Sequence, residues 1–80
     1  MMRSKLYPEA GGFVDAVAAA ARDRAGWSAG EGAALRRIAA RGAAPLIRMR
    51  RRWFFVCGEF TFVVERARGG GYAVARVPSN

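Results

Sequence analysis

Residues 46–65, LIRMRRRWFFVCGEFTFVVE, decide the fold. After Pro45 the composition turns from Ala and Gly to Val, Ile, Phe, Tyr and Trp, residues whose branched or flat side chains suit a pleated, half-buried surface. Alternate residues of a strand share a face. Ile47, Met49, Trp53, Phe55 and Cys57 therefore fall on one side, and Leu46, Arg48, Arg50, Arg52, Phe54 and Val56 on the other. Arg51 breaks the apolar parity, which predicts a bend or bulge near it, or a strand that begins only at Trp53. Cys57, Gly58 and Glu59 form the turn of a hairpin, 60–67 the return strand, and 69–71 a second turn leading into a strand over 72–77.

Upstream the pattern changes to a helical period. Phe13, Val14, Val17, Ala18, Ala21 and Ala25 fall on one stripe of a helix that Gly26 would stop. Ser28 and Glu31 have the S-x-x-E spacing of a capping box, which starts a second helix at about Ala29. Its apolar face is Ala34, Leu35, Ile38 and Ala39, its polar face carries Arg36, Arg37 and Arg41, and Gly42 and Pro45 close it. So short a loop between the helices makes them antiparallel neighbours. Residues 1–8 read as a leader, with Pro8 suited to a first helical turn.

The expected fold class is α+β: two antiparallel helices packed on a three-stranded antiparallel sheet, in the order ααβββ. Residues 1–80 form one domain, with the leader at 1–8, the helical pair at 9–42 and the β-meander at 45–77. A chain of this length buries only about 60% of the surface its unfolded form exposes, so most of its aromatic residues are needed in the core.

Fourteen basic residues stand against six acidic ones, a net charge of +8, and thirteen of the fourteen are arginine. Arginine over lysine suits phosphate and carboxylate partners and is equally what GC-rich coding would produce unaided, but coding does not explain the clustering at 48–52. The single Cys57 and the absence of histidine leave no internal disulfide and too few ligands for zinc, so no metal and no cofactor is expected. Cys57 itself reads as a small buried hydrophobe. The six carboxylates are not paired by spacing, Ser28 is committed to its cap, and an enzyme is not expected. No apolar run approaches the ~18 residues of a membrane span, and the start has no signal-like apolar segment, which points to a soluble, cytoplasmic protein.

The arginines carry the functional signal. Residues two apart on a strand are about 6.6 Å apart on one face, so Arg48, Arg50 and Arg52 form a row that meets successive phosphates or an acidic ridge. With Arg51 they make the densest charge in the chain, extended by Arg66, Arg68 and Arg76 on later strands. Trp53, and Trp27 past the first helix, are candidate exposed contact residues, with packing over the helix junction as the alternative for Trp27. The expected partner is an acidic protein surface or the nucleic acid of a nucleoprotein complex, with oligomeric state left open.

Two resemblances bear on this reading. The segment VCGEFTFVVERARGGGYAVARV, residues 56–77, resembles the end of RelE/ParE-type toxins: Gly58, Glu59, Phe60, Val63, Val64 and Glu65 hold the matching places, and two helices precede them. Thr61 stands where such toxins commonly carry an arginine, and Pro78, Ser79 and Asn80 replace a basic or histidine-bearing tail. That resemblance implies a toxin or an inactive relative. In its small size, absence of a catalytic set and charge around RMRRRW, the whole chain resembles phage-encoded anti-CRISPR proteins. That likeness implies a non-enzymatic inhibitor that blocks target engagement by a type I CRISPR effector. A plain DNA- or RNA-binding accessory protein is the third reading.

Overall fold

The stretch from Leu46 folds as successive hairpins. A computed structural model describes residues 4–78 of the chain. Its elements are β1 (Ser4–Tyr7), α1 (Phe13–Arg22), a short 3-10 turn (Arg24–Gly26), α2 (Ala29–Ala40), β2 (Ile47–Arg48), β3 (Arg52–Cys57), β4 (Phe60–Arg66) and β5 (Tyr72–Val77). The helices lie on one face of a five-stranded sheet of order β1-β5-β4-β3-β2, every neighbouring pair antiparallel.

Two of these strands correct the sequence reading. Within the segment read as a leader, residues 4–7 form β1, the edge strand paired with β5 from Ser4↔Ala75 to Tyr7↔Tyr72; residues 1–3 lie outside the described part. Four residues are too few to display a period, and only the long-range pairing reveals the strand. The parity break near Arg51 is a full turn. Met49 N–H donates to the Arg52 carbonyl and Leu46 N–H to that of Phe54, so a two-residue strand, β2, folds back on β3, which begins at Arg52.

The hairpin turn at Gly58 and Glu59 and the strands on either side of it match the expected meander. Trp53, Phe55 and Cys57 on β3, Phe62 and Val64 on β4, and Tyr72 and Val74 on β5 turn inward and are buried. Burial sets the helix faces as well. In α1 the buried positions are Ala16, Val17, Ala20 and Ala21; Val17 and Ala21 lie on the expected stripe, but Val14 is exposed, so the buried face is rotated from that stripe toward Ala16 and Ala20. In α2 Ala34, Leu35 and Ile38 are buried as expected.

The cap at Ser28 forms in full: its hydroxyl accepts from the Glu31 N–H at 3.1 Å, and Glu31 Oε1 accepts from the Ser28 N–H at 2.8 Å. At the other end Gly42 takes a left-handed conformation (φ 82°), the Gly42 N–H donates to the Ala39 carbonyl and the Ala43 N–H to that of Ile38, which satisfies carbonyls the helix leaves open. Helix α1 stops earlier than its glycine, at Arg22. Asp23 then caps the 3-10 turn by accepting the Gly26 N–H at 3.1 Å.

The same Asp23 fastens β1 to the helix junction. Its Oδ2 accepts from Lys5 Nζ at 2.7 Å and from the Tyr7 hydroxyl at 2.8 Å, while the buried Trp27 donates its indole N–H to the Tyr7 oxygen at 2.9 Å. The two donors hold the Asp23 carboxyl below the ordinary carboxylate value. Burial, only partly offset by the Trp27 hydrogen bond and reinforced by the Asp23 charge, pushes the Tyr7 phenol up to about 12.

Candidate functional site

The arginine cluster does not form a row. Arg48 pairs with Trp53 across β2 and β3, which sets it on the helix side of the sheet, and its guanidinium carbon lies 5.5 Å from the centre of the Phe13 ring. Phe13 in turn stacks on Trp53 at 4.8 Å and 15°. Arg48 therefore covers the rim of the core. Arg50 and Arg51 occupy the β2–β3 turn, and Arg52, the first residue of β3, stands on the side away from the helices beside Glu65.

What replaces the row is a cleft of about 380 Å³ at the end of the sheet, where β3 begins and β4 ends. Met49, Arg50, Arg51, Arg52, Glu65, Arg66 and Arg68 line it. Its frame is backbone. The Arg66 N–H donates to the Arg51 carbonyl at 3.0 Å, extending the ladder one step past the Arg52–Glu65 pair, and the Arg51 side chain returns a bond from Nη2 to the Arg66 carbonyl at 3.2 Å. Arg68 is carried by the β4–β5 turn, closed by hydrogen bonds between Ala67 and Gly71 and between Gly70 and Ala67. Gly71 (φ 77°) permits that closure: a Cβ there would lie 2.5 Å from Pro8 Cα and 2.6 Å from the Tyr7 carbonyl oxygen.

Five arginines thus line a concave surface with one carboxylate, Glu65, which bonds Arg52 Nε at 3.3 Å; of the five, Arg51 also bonds the Arg66 carbonyl, and the Arg66 guanidinium lies 5.9 Å from the Tyr72 ring centre. Both side chains are about half exposed, 53% and 48%, and such pairs contribute only about 0–1 kcal/mol. A phosphate or carboxylate group can therefore take Arg52 from Glu65 at little cost. Arginine's planar fork donates two parallel N–H bonds to either anion.

Of the eight residues expected to bind, Arg50, Arg51, Arg52, Arg66 and Arg68 converge here. The remaining three do not. Trp53 is 7% exposed and packs between Phe13 and Tyr72, so the core consumes it, as it does Trp27. Arg76 faces the helices from β5: its Nη1 bonds Glu31 Oε2 at 3.2 Å and its guanidinium lies 4.6 Å from the Phe60 ring centre. Arg37 on α2 lines a groove with Gly58 and Glu59, at the far end of β3 and about 17 Å along the strand from Arg52.

Sequence parity alone missed the sheet face away from the helices. One row across it runs Arg52, Glu65, Ala73, Leu6, and the next runs Ile47, Phe54, Val63, Ala75, Ser4. Positions that polar residues ordinarily fill on a solvated antiparallel face are here mostly apolar. The alternation of aromatic and aliphatic residues on both sides of β3 and β4 is the signal that could have found it. Among the described residues no group of three or more metal-ligating side chains occurs, and no helix is long and apolar enough to cross a membrane. Comparison of the chain with protein-family models, curated proteins and solved structures finds no match.

Proposed function

We propose that the protein is a non-catalytic binder of polyanions that docks on a nucleoprotein complex by taking backbone phosphates into the arginine cleft. The observation that supports this most is the meeting of five arginines around a single, weakly held carboxylate. The cleft's polar side chains are donors apart from Glu65, a composition suited to holding charge rather than to moving protons. The complex we put forward is a type I CRISPR effector, kept from its target by occupation of the strand it must expose or pair. A second reading, a RelE/ParE-like toxin or inactive relative, is favoured by the helix pair preceding the antiparallel strands, the order that resemblance implies.

Fluorescence anisotropy with a labelled oligonucleotide tests the binding itself. Phosphate contacts release counterions, so the affinity should fall steeply with salt, with a log–log slope of about −0.7 to −0.9 for each phosphate neutralised, or roughly −3 to −4 for four arginine contacts. A slope near zero, or no binding in low salt, would overturn the proposal. Expression in a bacterium carrying an active type I system then separates the readings: an inhibitor restores phage plating without slowing growth, and a toxin arrests growth without phage.

A further inference from the structure

The cleft opens onto a groove of about 280 Å³ on the sheet face away from the helices, and the two share Arg52 and Glu65 as a common wall. The groove's floor is Ala73 and Ala75 on β5, the latter 7% exposed because taller neighbours rise on both sides of it. Phe54 and Val63, paired across β3 and β4, form one flank. A flat apolar slot beside a charge-binding cleft has the makings of a nucleotide site: phosphate on the arginines, base against Phe54, polar base edges toward Arg52 and Glu65.

We infer that the protein binds single-stranded nucleic acid, and that an unpaired base enters this groove while the neighbouring phosphate occupies the arginine cleft. This rests on the proposed reading of the cleft and extends it. Charge complementarity selects the occupant. A second copy carries the same +8 net charge over its whole chain and so brings no counter-charge for the cleft, whereas a nucleic-acid strand supplies both the anion and the flat apolar surface that the two adjoining sites require. A duplex offers only the anion, because its base faces are stacked away from solvent.

The test uses the full chain, a labelled single strand of about 10 nucleotides, the same strand without bases, inorganic polyphosphate and polyglutamate. The intact strand should bind about 5- to 100-fold more tightly than the abasic one, the range that aromatic–base stacking supports. Phe54→Ala should remove most of that difference and leave polyphosphate binding unchanged. Ala73→Leu, which fills the groove without removing apolar surface, should do the same. Equal affinity for intact and abasic strands overturns the base site while the phosphate cleft stands. Polyglutamate that binds as tightly as the intact strand and is weakened by Phe54→Ala shows an acidic protein partner, and a monomer–dimer shift in light scattering with Phe54→Ala shows a second copy; either overturns the inference. Failure of polyphosphate and both strands alike overturns the cleft as well.

Discussion

Arg76 Nη1 stands 3.2 Å from Glu31 Oε2, joining the last strand to the first turn of α2. Glu31 is 4% exposed and also caps the Ser28 N–H, so one carboxylate fixes the helix start and the helix's place on the sheet. Arg76→Ala takes one hydrogen-bonded cation away from that buried carboxylate, and with the guanidinium partly exposed the expected loss is about 1–3 kcal/mol. Urea unfolding should show this, while the affinity for a labelled oligonucleotide stays within about twofold. An arginine of the docking surface would behave in the opposite way.

Glu65 is the cleft's one carboxylate, and its pairing with Arg52 is exposed. Glu65→Gln should change stability by no more than about 0.5 kcal/mol. It should strengthen polyanion binding by about two- to fivefold in low salt, because it removes a repelling charge worth at most about 1 kcal/mol at this exposure. Anisotropy titrations of the two proteins side by side measure the difference.

The network around Tyr7 predicts both limbs of the pH profile. The Tyr7 phenol is raised in the folded protein to about 12, from about 10 in the unfolded chain. Between those values the unfolded chain loses a proton that the folded protein keeps, so stability falls as pH rises through that window. Asp23 is shifted the other way, downward. Its contribution is present above the unfolded value of about 3.9 and is lost as the solution is acidified through the lower folded value. Tyr7→Phe should remove its part of the alkaline loss and lower stability near neutrality by about 1–3 kcal/mol, because the buried Trp27 N–H loses its acceptor. Thermal melts across pH for the parent and this variant separate the two effects.

Gly71→Ala tests how the edge strand is held. The added methyl would meet the backbone of Tyr7 and Pro8 at a left-handed residue, two costs that cannot be relieved by a side-chain rotation. We expect a loss above about 2 kcal/mol. Faster amide exchange along β1 in this variant would show that the turn bearing Arg68 and the β1 edge are coupled.

Local signals carried much of the architecture. The Ser28–Glu31 box, the face of α2 and the hairpin at Gly58 rest on interactions within a few residues, and each appears at its expected place. The β1 strand depends on β5, some seventy residues away, and so left no local trace. For the site, clustering of arginines pointed to the right turn, but strand parity assigned faces as though β2 and β3 were continuous. The turn at residues 49–51 reverses the chain, which sends Arg48 toward Phe13 and Arg52 toward Glu65. Arg76 could not be separated from the others without its partner, because Glu31 is forty-five residues away. Trp53 was drawn inward by the small size of the core, which takes up all the large rings but Phe54.

The most direct measurement is the oligonucleotide affinity of the double variant Arg50→Glu, Arg68→Glu, made in two exposed turns so that the core and the sheet ladder are untouched. The account predicts a melting temperature within a few degrees of the parent's and loss of binding by at least about 100-fold at low salt. Unchanged affinity in that folded variant would contradict it.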